Sequence, residues 1–276
     1  MRGRMFGGGL TRRFAPRGVA RFLRRLRPAA PRFEWPELIP HPPGGRVLVL
    51  APHMDDETIG CGGTLVKKVR AGAEVTVVFM TDGRLGDPAV HDPEIGERER
   101  LDLQDRLAAT RKIEAQRACG ILGISKLIYL DERDMELSAD RRTVARLEEI
   151  LGNTRPDLVF LPFLTDRHHD HWETNRVFLE ASRRLPRAGD GLLCCGYEIW
   201  TPLNPNAMVE IREVLEVKRK ALAQFESQLR HNDYVHTALG LNAYRSMTHL
   251  HGRSYAEAFY LAALPEYRRL YASMGA

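Results

Sequence analysis

The chain of 276 residues is 43% hydrophobic and 28% charged, which is typical of a folded globular protein and excludes a fibrous or disordered one. No apolar run approaches the roughly 20 residues that cross a bilayer. No apolar signal-peptide core follows the N-terminal arginines, so we predict a cytoplasmic protein. The four cysteines fit neither a disulfide framework nor a zinc ribbon. We expect Cys194 and Cys195 to be small apolar side chains of a strand.

The net charge of +5 is concentrated at the N-terminus, because residues 1–33 hold ten arginines and no acidic residue. The rest of the chain carries 31 basic and 36 acidic side chains and is mildly acidic. We therefore predict a basic, flexible extension over residues 1–40 and one domain over residues 41–276. Arginines interleave with apolar residues at helical spacing in the extension, a pattern that suits an anionic membrane surface or a nucleic acid. Of these two we expect peripheral membrane contact and no nucleic-acid partner. A solvated tail and an organellar transit peptide are the alternatives.

Short apolar segments alternate with longer amphipathic ones from about residue 45 onward. The predicted strands cover residues 46–50, 74–80, 126–130, 157–162 and the segment GLLCCGYEIW at 191–200. The predicted helices cover residues 58–70, 97–122, 139–151, 173–184 and 214–229, with a final helix from about residue 255. This alternation predicts an α/β fold: a Rossmann-like, mostly parallel sheet with helices on both faces.

Polar side chains follow several of the predicted strands. They are, in chain order, His53, Asp55, Asp56, Asp82, His168, Asp170 and His171. Because the carboxyl ends of parallel strands meet at one edge of a sheet, we expect these clusters to converge there. A histidine, a nearby carboxylate and a distant histidine suit a catalytic zinc ion with a fourth position left for water. On the alternative reading, Asp56 caps a helix and His53 is an ordinary loop residue.

Two motifs resemble those of a known family. The segment APHMDDETIGCGGT resembles the Ala-His-Pro-Asp-Asp-Glu signature of the LmbE-like or PIG-L zinc-dependent deacetylases, and HHDH resembles their His-x-Asp-His motif. Further similar segments, which extend the resemblance over nearly the whole domain, are TDG, RKIEAQRACGILGI, YEIWTPLNPN, KRKALAQFESQ, GLN and YAEAF. Two positions depart from the family: Met54 replaces the proline after the histidine, and Phe225 stands where many relatives carry a polar residue or histidine.

The resemblance implies a role for each residue that matches a family motif. His53, Asp56 and His171 are implied to hold Zn²⁺, with Fe²⁺ as the alternative ion. Asp55 is implied to be the general base for a zinc-bound water. His168 is implied to be a protonated group that stabilises the oxyanion and then donates to the leaving amine, and Asp170 to orient a neighbouring imidazole. We also expect substrate contacts from Arg111, Tyr197 and Trp200.

The function implied by the resemblance is removal of the acetyl group from an N-acetylated amino sugar, in a small molecule or a lipid-linked glycan. The resemblance leaves a homo-oligomer open. One alternative is a zinc amidase that acts on an N-acyl amino acid or another non-acetyl N-acyl substrate. A second is a non-catalytic nucleotide-binding module, in which the glycine-rich segment at 60–63 holds a phosphate. A thiol redox protein would depend on Cys194 and Cys195.

Overall fold

In the computed structural model, the described residues, 35–184 and 191–275, are built around an eight-stranded sheet. The strands are β1 (Glu37–Ile39), β2 (Arg46–Ala51), β3 (Glu74–Thr81), β4 (Lys126–Glu132), β5 (Leu158–Pro162), β6 (Leu193–Tyr197), β7 (Ala207–Glu210) and β8 (Ala256–Ala263). Their order across the sheet is β1-β7-β8-β6-β5-β2-β3-β4. Strand β8 is antiparallel to β6 and β7, and the other neighbouring pairs are parallel.

The helices connect these strands and continue after β8. They are α1 (Asp56–Arg70), α2 (Glu97–Leu122), α3 (Arg141–Thr154), α4 (His169–Ala181), α5 (Leu215–Leu222), α6 (Glu226–Leu229), α7 (Tyr234–Arg245), α8 (Met247–Leu250) and α9 (Leu264–Gly275). Local signals set several helix ends. The Asp140 side chain caps α3 by accepting from the backbone N–H groups of Arg142 and Thr143. Gly123 ends α2 with a φ of 83°, a conformation that favours glycine.

Strand β2 shows how the sheet separates two apolar layers. Val47 and Val49 pack on one face with residues of α1, α2 and α5, whereas Leu48 and Leu50 pack on the other with residues of α3, α4 and α9. Because successive strand side chains point to opposite faces, a continuous apolar run supplies both layers. The predicted fold, a mostly parallel sheet with helices on both faces, is therefore confirmed.

The same alternation explains the adjacent cysteines. Cys194 packs in one layer and Cys195 in the other, and both are buried and free. Their interpretation as small apolar strand residues is confirmed. Two side chains on opposite faces of a sheet do not form the disulfide that a thiol redox protein would need.

The C-terminal third differs from the prediction. The helix expected from about residue 255 is wrong, because β8 (Ala256–Ala263) occupies that segment and α9 follows it. Alanine, glutamate and leucine favour a helix locally, but pairing with β6 and β7 on both sides overrides that preference. The helix predicted over 214–229 is interrupted between α5 and α6. Helix α4 starts at His169, four residues before the predicted start.

The sheet begins before the predicted N-terminal boundary of the domain. Strand β1 (Glu37–Ile39) pairs with β7, so residues 37–39 belong to the sheet although they fall inside the predicted extension over 1–40. The arginine-rich segment of that extension, residues 1–33, lies outside the described residues. Of the helices described, none combines the length and hydropathy that a membrane span requires.

Candidate active site and metal centre

The carboxyl edge of the parallel strands carries a cluster of histidines and carboxylates. The loop after β2 contributes His53 and Asp55, the first residue of α1 is Asp56, and the loop after β4 contributes Asp134. The loop after β5 and the first turn of α4 contribute Asp166, His168, Asp170 and His171. Asp82 follows β3 and borders the cluster: it bonds Arg84 at 2.7 Å and accepts from the Asp134 backbone N–H at 3.3 Å.

Asp56 lies between the two histidines that the sequence predicts as metal ligands. Its Oδ2 atom is 3.2 Å from Nδ1 of His53 and 3.3 Å from Nε2 of His171. All three side chains are almost fully buried. The alternative reading of Asp56 as a helix cap is not observed, since α1 begins after Asp55 and no side chain caps it. The structure therefore brings together His53, Asp56 and His171, which are far apart in sequence.

The spacing of these atoms fits a shared metal ion. Bonds of about 2.0–2.2 Å at tetrahedral angles place neighbouring zinc ligands roughly 3.3–3.6 Å apart. The distances of 3.2 and 3.3 Å around Asp56 Oδ2 are close to this range. Neither ring nitrogen of the buried His171 forms an aligned hydrogen bond with another described residue. A buried nitrogen without such a bond is expected where the imidazole coordinates a cation instead. Atoms of His53, His168 and His171 also lie within 4.8 Å of one another, so His168 borders the same position.

Each predicted histidine ligand contacts a carboxylate through its other ring nitrogen. His53 Nε2 lies 3.1 Å from Asp170 Oδ2 and 3.3 Å from Asp134 Oδ1. His171 Nδ1 lies 3.2 Å from Asp166 Oδ2. Metal-binding histidines usually make this contact, which fixes the ring orientation and increases the basicity of the ligand.

The sequence reasoning missed Asp134 and Asp166. Both follow a predicted strand within a few residues, which is the signal that identified the other clusters. Asp166 also accepts hydrogen bonds from the backbone N–H groups of His168 and Trp200, so its carboxylate is held in place before it meets His171.

The electrostatics of the cluster favour an added positive charge. Burial alone would lower the pKa of His53, but the carboxylates of Asp134, Asp170 and Asp56 raise it well above its usual value. The pKa of His171 is raised to about 9 in spite of burial, because Asp56 and Asp166 flank it. Carboxylates that keep buried imidazoles protonated attract a cation for the same reason.

Asp55 adopts a strained backbone and is held by a buried arginine. Its φ is 155° and its ψ is −26°, a combination that residues with a side chain rarely adopt. Arg111 Nη2 donates to Asp55 Oδ2 at 3.2 Å and to the Met54 carbonyl oxygen at 3.1 Å. Arg111 Nη1 donates to the Gly83 carbonyl oxygen. Burial raises the pKa of Asp55 to about 7, although the Arg111 charge opposes the shift.

His168 stands beside the two predicted histidine ligands. Its ring centroid is 4.7 Å from that of His53 and 4.8 Å from that of His171. The Asp170 backbone N–H donates to His168 Nδ1, so the neutral ring carries its proton on Nε2. Burial and the charges of His53 and His171 lower the pKa of His168. These observations favour a neutral donor and correct the protonated form expected from the sequence.

A cleft of about 610 Å³ opens above the cluster. Asp55, Arg111, His168 and Trp200 line it, and Trp200 is 56% exposed. Tyr197 does not reach the cleft: it is fully buried, and its hydroxyl donates to the Leu50 carbonyl oxygen at 2.8 Å. The expected substrate contact from Tyr197 is therefore wrong, because the side chain packs under α1.

The glycines of α1 serve packing. A Cβ atom added to Gly60 would lie 2.3 Å from Tyr197 Cδ2, and one added to Gly63 would lie 2.7 Å from Ile211 Cγ2. Glycine therefore lets α1 approach its neighbours closely. The segment lies inside a helix, not in a loop that could surround a phosphate, so the nucleotide-binding alternative loses its site.

Comparison with known proteins gives consistent matches. A family model described as "PIG-L: GlcNAc-PI de-N-acetylase" matches residues 48–182. The chain is 31% identical over 196 residues to a diacetylchitobiose deacetylase from Thermococcus kodakarensis, covering 66% of this chain and 70% of that protein. It is 27% identical over 203 residues to a 1D-myo-inositol 2-acetamido-2-deoxy-alpha-D-glucopyranoside deacetylase from Kineococcus radiotolerans, covering 63% and 53%.

Solved structures share the fold. The N,N'-diacetylchitobiose deacetylase from Pyrococcus horikoshii superposes with a TM-score of 0.67 at 28% identity, covering 81% of this chain and 86% of that one. A 4-carboxy-2-hydroxymuconate hydratase from Pseudomonas putida superposes with a TM-score of 0.65 at 22% identity, covering 78% and 95%. The second likeness concerns the fold alone, so the reaction of this chain has to be argued from its site residues.

Proposed function

Because this chain belongs to the PIG-L family of deacetylases, we propose that it hydrolyses the acetamide of an N-acetylated amino sugar, releasing acetate and a free amine. The observation that supports this most directly is the position of Asp56 between His53 and His171 at the floor of an open cleft. Each of these two imidazoles also contacts a further carboxylate. Relatives named for deacetylation of N-acetylglucosamine-type groups point to the same class of substrate.

His53, Asp56 and His171 would hold a zinc ion, with iron as the alternative. Two nitrogens and one carboxylate oxygen make up a three-ligand catalytic donor set. A metal ion bound there would polarise the acetyl carbonyl and make water a stronger nucleophile at neutral pH. Asp134, Asp170 and Asp166 would fix the two imidazoles in the orientation that binding requires.

Asp55 would take the proton from the attacking water. It lines the cleft, and its pKa of about 7 suits a group that accepts a proton and passes it on near neutral pH. Arg111 would position this carboxylate by holding both its Oδ2 atom and the neighbouring backbone. The proton gained by Asp55 would then go to the leaving amine.

His168 would stabilise the negative charge that develops on the acetyl oxygen. Its neutral ring has Nδ1 occupied by the Asp170 backbone N–H, so Nε2–H is the donor available to the substrate. A donor preorganised at the position of developing charge stabilises the transition state more than the ground state. Trp200, exposed at the rim, would offer an apolar surface to the sugar ring.

The metal and the chemistry are tested separately. We expect the wild type to retain about one zinc or iron ion per chain after dialysis and His171→Ala to lose it. The control His169→Ala changes the exposed neighbour that bonds the Leu137 carbonyl oxygen, and it should keep the ion. Retention of metal by His171→Ala would contradict the proposed ligand set.

The chemistry is tested by acetate release from N-acetylglucosamine-type sugars. We expect Asp55→Asn to retain its metal and to lose acetate release by at least about 100-fold. Acetate release by Asp55→Asn at the wild-type rate would show that Asp55 is not the group that accepts the proton from water. Faster release of longer acyl groups or of acetate from N-acetyl amino acids would support the amidase alternative.

A membrane contact of residues 1–33 is proposed from the sequence alone, because the structure does not describe this segment. The ten arginines in residues 1–33 would bring the enzyme to an anionic membrane that carries a lipid-linked substrate. Deletion of residues 1–33 is expected to abolish sedimentation with anionic vesicles while acetate release from a small sugar continues. Unchanged sedimentation would contradict the membrane contact.

A further inference from the structure

Asp82 is a buried carboxylate that the proposed reaction does not use. It stands in the segment TDG and follows β3 directly. Its Oδ1 atom accepts from the backbone N–H groups of Arg84 at 3.2 Å and of Asp134 at 3.3 Å, and its Oδ2 atom accepts from Arg84 Nε at 2.7 Å. Asp82 therefore shapes residues 82–85, which we call the β3 turn, and links this turn to the loop after β4.

One side of the β3 turn leads to the metal centre. Asp134 Oδ1 lies 3.3 Å from Nε2 of His53, a proposed metal ligand. Asp134 Oδ2 accepts from the Leu85 backbone N–H at 3.1 Å. The β3 turn thus contacts Asp134 twice, once at its backbone N–H and once at its carboxylate. These two contacts fix a carboxylate that orients His53.

The other side of the β3 turn leads to the proposed base. Arg111 Nη1 donates to the Gly83 carbonyl oxygen at 3.1 Å, and Arg111 Nη2 donates to Asp55 Oδ2 at 3.2 Å. Gly83 has a φ of 62°, and a Cβ atom there would lie 2.7 Å from Arg111 Nη1. Glycine lets the backbone adopt this conformation and approach the guanidinium closely. The β3 turn therefore supports the arginine that holds Asp55.

The contact between Asp82 and Arg84 is the main support of the turn itself. A guanidinium and a carboxylate form a stronger hydrogen bond than two neutral groups do. Arg84 Nη1 also lies 3.4 Å from Asp105 of α2, but Asp105 is largely exposed, and exposed ion pairs contribute little. We therefore expect the shape of the turn to depend on Asp82 and not on Asp105.

We propose that Asp82 is a positioning residue that supports both the metal ligand and the base. Through the β3 turn, its carboxylate holds Asp134 beside His53. Through the same turn, it holds Arg111 beside Asp55. Asp82 does not line the cleft, so it acts only through these neighbours. This inference rests on the proposed function, since the metal ligand and the base are themselves proposed there.

The first measurement is zinc affinity, from a competition titration with a chelator. We expect Asp134→Ala to weaken binding by about tenfold, because Asp170 still contacts His53. Asp82→Ala should weaken binding by about 3–10-fold, since it acts through Asp134. In the double variant, Asp82→Ala should add less than about twofold, because its route to His53 is already lost. Asp82→Asn, whose amide oxygen can still accept from both backbone N–H groups, should stay within about twofold of the wild type.

The matched control is Asp140→Ala. The Asp140 carboxylate also accepts from two backbone N–H groups, those of Arg142 and Thr143 at the start of α3. Asp140 is exposed, and no hydrogen bond links it to Asp134 or Arg111. The control thus removes the same kind of hydrogen bonds away from the site, and zinc affinity should stay within about twofold. Thermal melting verifies that each variant is folded.

The second measurement is acetate release at saturating zinc, so that loss of metal does not contribute. We expect Asp82→Ala to lower kcat by about 3–10-fold, because Arg111 no longer holds Asp55 in place. KM should rise by no more than about twofold, since Asp82 does not line the cleft. Asp140→Ala should change neither constant. A residue that only stabilises the fold would not produce this difference between two folded variants.

The outcomes separate this inference from the proposed function. Wild-type zinc affinity in Asp82→Ala, an equal loss in Asp140→Ala, or additive effects of Asp82→Ala and Asp134→Ala would overturn the role of Asp82 at the metal centre. An unchanged kcat at saturating zinc would overturn its role behind Arg111. The expected zinc affinities with no acetate release by the wild type would support the metal side of the inference and contradict the proposed reaction.

Discussion

The buried ion pair of Lys218 and Glu257 should contribute strongly to stability through its partners in α1. Glu257 accepts from the backbone N–H groups of Gly63 and Thr64 at 2.8 and 2.7 Å. Lys218 donates to the Ile59 carbonyl oxygen at 2.8 Å, the group that a regular helix pairs with the Gly63 N–H. The pair thus ties the helix that begins with Asp56 to α5 and β8.

Removing one member leaves the other as an uncompensated buried charge. We expect Lys218→Met and Glu257→Gln each to lower the free energy of unfolding by about 3–5 kcal/mol. The double variant has no buried charge and loses only hydrogen bonds, so we expect it to lose about 1–3 kcal/mol. The two substitutions should therefore be strongly non-additive, with a coupling free energy of at least about 2 kcal/mol.

The assay is urea unfolding of the four proteins in the presence of a chelator, so that metal release does not enter the comparison. Lys126 and Glu74 form an exposed pair and serve as the control cycle, in which the two substitutions should add. Additivity within about 0.5 kcal/mol in the Lys218–Glu257 cycle would refute the reasoning. Such additivity would mean that water or rearranged neighbours compensate the charge that remains in each single variant.

Three further changes have defined outcomes. Asp166→Asn should weaken metal binding by about 10–100-fold in a competition titration, because it lacks the carboxylate that orients His171. Unchanged metal affinity would show that Asp166 does not orient His171. Gly60→Ala should lower the free energy of unfolding by about 1–3 kcal/mol, because the added methyl group would overlap with Tyr197. Gly62→Ala should not lower it, because the nearest contact of its methyl group would be 3.5 Å. Equal effects of the two substitutions would contradict the packing argument. Burial raises the pKa of Glu57 from 4.5 to about 8, so the folded state keeps a proton that the unfolded chain releases. The metal-free protein should therefore lose stability as pH rises from 4.5 to 8, and Glu57→Gln should flatten this fall; a parallel pH profile would show that Glu57 is not responsible.

Much of the fold could be predicted because it depends on local patterns. The apolar runs of β2, β3 and β5 are buried on both faces, and α3 buries a single face through Thr143, Leu147 and Leu151. The place of each polar cluster then follows from the rule that parallel strands end at a common edge. The convergence of the clusters that contain His53, Asp56 and His171 could be predicted in this way, whereas the choice of these three residues as metal ligands follows from the resemblance to the family.

What could not be predicted depends on long-range pairing. The segment of β8 favours a helix locally, and only its neighbours β6 and β7 make it a strand. Tyr197 ends a strand, and its ring and hydroxyl suit either the cleft or the core. Whether it is buried depends on the face of the sheet that α1 covers. The neutral form of His168 depends on a backbone N–H two residues away, which no spacing in the sequence reveals.

The position of β8 also has a consequence for synthesis. A nascent chain that ends before residue 256 contains β6 and β7 without the strand that lies between them, so both present unpaired edges. Lys218 would at that stage lack its carboxylate, and the Gly63 and Thr64 amides would lack their acceptor. Residues 48–182 contain every proposed metal ligand, yet they do not include the strand that secures the ligand-bearing helix. The helix that carries the proposed ligand Asp56 is thus secured only after residue 263 has been synthesised, and until then the unpaired edges of β6 and β7 favour aggregation.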